Sequence, residues 1–120
     1  MTINFTRKPD TGSVQRTSYM AAFSLAETLL SETTAVPTSV NVEAAHFAPA
    51  APLIKVYFHH DSAAVREFAA QFSLVVKVEE FPEGQQYTEA NSERHGVKIQ
   101  AWALLNAEQV AAATDAQAAA

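Results

Sequence analysis

The chain contains no cysteine. Disulfides, thiolate metal ligands and a cysteine nucleophile are thereby excluded together, and the absence fits a reducing compartment, so the expected location is cytoplasmic. Glycine is nearly as scarce: Gly12, Gly84 and Gly96 stand far apart, and neither a phosphate-cradling loop nor a dinucleotide turn can be assembled from them. The nucleophile-elbow serine motif of hydrolases is missing as well. No apolar run approaches the roughly 20 residues of a spanning helix. The segment from Met1 to Lys8 has no apolar stretch behind its basic residues, so neither a membrane nor a cleaved secretory signal is expected.

What remains is an ordinary globular composition, 48% hydrophobic and 18% charged over 120 residues. A chain of this length buries roughly two thirds of its unfolded surface and forms one domain without covalent staples. The net charge of -5 is unevenly spread. Arg7, Lys8 and Arg16 against Asp10 leave residues 1–16 at +2 and the remainder at -7. An acidic body disfavours non-specific adhesion to nucleic acid or anionic lipid.

No helical or strand period runs through residues 1–16, and Pro9, Asp10 and Gly12 are turn formers, so this stretch is expected to be a flexible basic arm. From Thr17 or Ser18, a helix cap, Tyr19, Ala22, Phe23, Ala26, Leu29 and Leu30 recur on one face, predicting a first helix over about 18–32 that Pro37 terminates. Val40 and Val42 alternate with polar neighbours in a short strand within 39–46. Residues 53–59 form the clearest strand, and Asp61 or Ser62 caps a second helix over about 62–72 whose Val65, Phe68, Ala69 and Phe72 share a face.

Three further strands follow, over 74–81, 85–91 and 97–105, joined by turns at Pro82 to Gly84 and Ser92 to Gly96, with the middle one polar enough for an edge or an exposed strand. Asn106 caps a short helical turn, and the alanine-rich stretch of 107–120 is expected to fray as a tail. The order predicts an α+β two-layer sandwich: a mainly antiparallel sheet of four to five strands, with both helices packed on one face and the single domain running over 17–106.

Strand parity then sorts the side chains. With Ile54, Val56 and Phe58 turned to the helices, Lys55, Tyr57 and His59 face outward. In the same way Val75, Lys77 and Glu79 oppose Leu74, Val76 and Val78, and Lys98, Gln100, Trp102 and Leu104 oppose Val97, Ile99, Ala101 and Ala103. The outer face so assembled holds Tyr57, Val75, Trp102 and Leu104 among Lys55, Lys77 and Lys98, the candidate interaction surface. A mixed apolar patch on an open sheet suits a homodimer or a protein partner. The alternative is a binder of nucleic acid or another anionic ligand, using the three lysines and the arm, with aromatics to stack bases. The glutamates near the turns and the shortage of arginine weigh against it.

Catalytic and metal chemistry have little to build on. His59 and His60 precede Asp61 where a strand hands over to a helix, and His95 lies elsewhere, but neighbouring strand residues point to opposite faces and Asp61 is needed as a cap. Glu79 and Glu80 likewise alternate faces rather than converge. The sequence therefore assigns no catalytic residue, no metal and no cofactor, and it favours a non-enzymatic interaction module that self-associates or docks a protein through the outer sheet face.

Overall fold

The computed structural model describes residues 10–119. Eight elements follow in order: α1 (Thr11–Glu32), β1 (Ser39–Glu43), β2 (Leu53–Tyr57), α2 (Ser62–Phe72), β3 (Val75–Glu80), β4 (Gln86–Arg94), β5 (Val97–Leu105) and α3 (Ala107–Ala119). The five strands form one mixed sheet in the order β1-β2-β5-β4-β3. All neighbouring pairs are antiparallel except β2 and β5. The chain is an α+β sandwich, with α1 over β1 and β2 and α2 over β5 and β4.

The core lies between these layers. Ile54, Val56 and Phe58 from β2 and its end, Ala90 from β4, and Val97, Ile99, Ala101 and Ala103 from β5 meet Val65, Phe68, Ala69 and Phe72 of α2. Phe68 sits at the centre, its ring 5.8 Å from Phe58 and 4.8 Å from Phe72. Alanine at 90, 101 and 103 leaves the inner sheet surface shallow, so α2 rests close upon it. Thr88 is buried in the same row with no partner for its Oγ1 among the described residues.

Several expectations change at the ends of elements. The first helix begins at Thr11, not near Ser18, because Asp10 is its cap: Oδ1 accepts a hydrogen bond from the Ser13 amide at 2.7 Å. Residues 10–16 of the expected arm are thus cap and helix, while the rest of the arm lies outside the described residues. The added turns carry few large apolar groups, which is why periodicity misses them. They are tied down instead by Gln15 Nε2 donating to the Ala44 carbonyl at 2.9 Å and Ser18 Oγ donating to the Pro49 carbonyl. The buried side of α1 is also narrower than the pattern implies. Ser18, Ala22, Ala26 and Leu29 are buried, whereas Phe23 and Leu30 are exposed on its flank. Small residues let the helix sit near the sheet, and the bulkier neighbours 100° away cannot follow them under.

The tail differs too. Asn106 and Gln109 cap each other reciprocally, Asn106 Oδ1 accepting from the Gln109 amide at 2.8 Å and Gln109 Oε1 from the Asn106 amide at 2.9 Å, and the alanine-rich residues continue helically to Ala119. β4 is interior rather than an edge, paired with β5 on one side and β3 on the other. Its polarity belongs to its outward side chains. The β4–β5 hairpin turns on His95 and Gly96, both with positive φ, and β4 therefore runs on to Arg94 through residues expected in the turn.

Gly84, between β3 and β4, combines φ of +90° with a position where an added Cβ would lie 2.9 Å from the Ala107 Cβ at the start of α3. Gly96 has φ of +79° and open space around it. Gly96→Ala should cost about 1 kcal/mol from backbone strain alone, and Gly84→Ala about 2–3 kcal/mol because steric overlap adds to it. Paired urea melts of the two variants check the difference.

Candidate docking surface

The sheet's second face carries neither α1 nor α2, and strand register lays its residues out in rows. Ser39, Tyr57, Trp102, Glu89 and Lys77 run across all five strands in one row; Asn41, Lys55, Gln100, Asn91 and Val75 form the next. Beyond these lie Leu53, Lys98 and Glu93 on one side and Leu104, Tyr87 and Glu79 on the other. All seven candidate residues, Tyr57, Val75, Trp102, Leu104, Lys55, Lys77 and Lys98, share this face.

The aromatic residues among them form a cluster. Trp102 lies 4.4 Å from Tyr57 and 6.0 Å from Tyr87, ring centre to ring centre, so the indole bridges β2 and β4 from its place on β5. Parallel pairing of β2 with β5 sets Tyr57 directly beside Trp102. The Tyr57 hydroxyl is a further 2.6 Å from His59 Nδ1, and the His59 ring stacks on His60 at 3.8 Å. Stacked imidazoles cannot both direct a lone pair at one ion. Among the described residues no three histidine, aspartate or glutamate side chains converge as metal ligands.

The three lysines do not gather into a basic patch. Lys55 Nζ is 3.4 Å from Glu43 Oε1, Lys77 is in register with Glu89, and Lys98 is in register with Glu93. With Glu79 beside Tyr87, four carboxylates face three ammonium groups, and the surface is close to neutral. A polyanion therefore finds no uncompensated row of cations here.

Glu89 is the residue that sequence parity passed over. Asn91 Nδ2 donates to its Oε1 at 3.0 Å and Gln100 Nε2 to its Oε2 at 3.1 Å. Burial acts to raise its pKa, but these bonds, a third from Tyr87 and the charge of Lys77 outweigh it and hold the carboxyl below its ordinary value. On the other side of that contact, burial first and the Glu89 hydrogen bond second push the Tyr87 phenol up to about 12. The signal was present in the period-two pattern of 87, 89 and 91. It went unused because a polar strand, read as an edge or exposed one, offers no row of large apolar residues to mark its inner face.

This network makes stability depend on pH in a definite direction. A carboxyl whose folded pKa is depressed stabilises the fold above its unfolded pKa, and the contribution is lost as pH falls through the folded value. Wild type should therefore exceed Glu89→Gln in stability near pH 7, and the gap should close on acidification below about pH 4. Thermal melts of both proteins across that range provide the check.

Apolar contact area surrounds the network. Val75 is 74% exposed and Leu104 37% exposed, and a shallow hollow of about 550 Å³ lies among Leu53, Val75, Asn91, Lys98 and Gln100. Among the described residues no helix is long and apolar enough to cross a membrane. No protein-family model matches the chain, and no curated protein matches it significantly.

Proposed function

We propose that the protein is a non-enzymatic interaction module that self-associates through the outer face of its sheet, with a second copy of the chain as the occupant. The observation that supports this reading most is the Tyr57, Trp102 and Tyr87 cluster on an outward face whose charges nearly balance. A two-fold contact places one patch on itself, so the patch must hold both members of every complementary pair. Lys55, Lys77 and Lys98 beside Glu43, Glu79, Glu89 and Glu93 meet that requirement, whereas a surface of one sign would repel its copy. Aromatic residues supply the desolvated centre that such interfaces need, and the charged residues supply the rim. The absence of cysteine favours the cytoplasm as the place where this occurs, and cell fractionation that recovered the protein in an oxidising compartment would remove that part of the reading.

Light scattering tests the association directly. Wild type is expected to show the mass of a dimer or larger at micromolar concentration, with Trp102→Lys weakening the association through the sheet face about tenfold or more, a change of about 1.4 kcal/mol, and so lowering the mass. Trp102 is only half-buried in the single chain, so the variant should keep its far-ultraviolet circular dichroism. A monomer in both proteins removes the reading.

A further inference from the structure

The opposite flank of the molecule holds a different feature, independent of the outer face. β1 ends the sheet, and its second hydrogen-bonding edge has no strand beside it among the described residues. The other sheet edge, β3, carries Lys77, Glu79 and Glu80, charges that discourage an added strand. β1 reads Ser39-Val40-Asn41-Val42-Glu43, with neither lysine nor proline, and its inward Val40 and Val42 are only partly buried. Next to them the flank of α1 exposes Phe23 at 56% and Leu30 at 48%. Together with Ala26 and Glu27 these residues line an open groove of about 660 Å³ that continues the core past the last strand. An extended segment laid along β1 would pair its backbone with the free edge and drop every second side chain into that groove.

The chain itself contains such a segment. Over all sixteen N-terminal residues no strand period survives, because the second half belongs to α1. Taken alone, Met1, Ile3 and Phe5 alternate with Thr2, Asn4 and Thr6, and Arg7 and Lys8 follow. Ile3 and Phe5 suit the apolar groove, and the two cations suit Glu27 on its rim and Glu43 at the end of β1.

Connectivity decides whose segment this is. α1 starts at the C-terminal end of β1, where Gln15 bonds the Ala44 carbonyl, and reaches the Leu30 end of the groove about 30 Å further along its axis. Residues 7–9 span only about 14 Å between Thr6 and Asp10. A chain's own segment could then lie only parallel to β1. β2 and β3 are parallel, through β5 and β4, and the general rule for such crossovers makes a connection like that through α2 right-handed. With α1 in the same layer, a parallel strand outside β1 would make the unit through α1 left-handed, the sense that about 98% of such units avoid.

We infer that residues 2–6 of one copy add as an extra strand to β1 of a second copy, with Ile3 and Phe5 seated between α1 and β1. Groove and segment are different surfaces, so the contact is head-to-tail and closes either reciprocally as a dimer or onward as a ring.

Cross-linking between full-length chains tests this, and the absence of native cysteine makes it clean. Asn4 and Asn41 would both face away from the groove on neighbouring strands. Asn4→Cys chains mixed with Asn41→Cys chains should form a mixed disulfide far faster than either forms a disulfide with itself. Adding Leu30→Glu to the Asn41→Cys chain should abolish that excess, with Phe23→Glu as the second variant should the first lose its fold. Adding Trp102→Lys should leave it intact, which separates this contact from the outer face. Cross-linking at the random rate overturns the inference, as does an excess that Trp102→Lys removes and Leu30→Glu does not. A double Asn4→Cys, Asn41→Cys chain that closes on itself at high dilution overturns it in favour of the cis arrangement.

Discussion

Phe68→Ala is expected to lower the stability of the domain by about 3–5 kcal/mol, the range found when a buried aromatic ring is truncated and the cavity cannot collapse. Phe68 is 1% exposed and holds Phe58 at the end of β2 against Phe72 at the end of α2. Its loss removes contacts on both layers at once. The surrounding side chains have little freedom to fill the gap, because their backbones belong to a hydrogen-bonded sheet and a helix. For a domain with a total stability of about 5–15 kcal/mol, the variant should be largely unfolded well below the wild-type melting temperature. Urea unfolding followed by circular dichroism measures it as a lowered midpoint with unchanged slope.

Ala101→Leu should destabilise by the opposite mechanism, about 1–3 kcal/mol from overpacking. Ala101 is fully buried on β5, flanked in register by Val56 of β2 and Ala90 of β4, with α2 directly above. Extra methylenes there must lift the helix or force its side chains from their rotamers. Leu104→Ala on the same strand points outward and should stay within about 0.5 kcal/mol of wild type. The same urea series, run on both variants, contrasts the two faces of one strand. Comparable losses would show that the inner row is not as close-packed as its alanines imply.

Much of this architecture was legible in the residues. Alternation in 53–59 and 97–105 assigned inner and outer rows that the structure reproduces, and Asp61 caps α2 as expected, its Oδ1 accepting from the Ala64 amide at 2.9 Å. Legibility failed where a segment is held by something other than buried apolar surface. The first turns of α1 rest on an aspartate cap and two side-chain bonds to distant carbonyls, and α3 rests on a reciprocal cap over alanines. Periodicity registers neither. It also misjudged Phe23 and Leu30, since a hydrophobic pattern reports what would gain from burial and not what finds a neighbour to bury it.

The candidate site divides in the same way. Local sequence by itself determined that Tyr57, Trp102, Val75, Leu104 and the three lysines leave the core, because the period of two is a property of the extended backbone. Only the tertiary structure decided that Trp102 meets Tyr57 and Tyr87, that each lysine has a carboxylate on a neighbouring strand, and that β1 is left open among the described residues beside an apolar groove. Those facts depend on strand order and on the parallel pairing of β2 with β5. Residues more than forty positions apart become neighbours there through long-range packing, and no local propensity encodes which strands will meet.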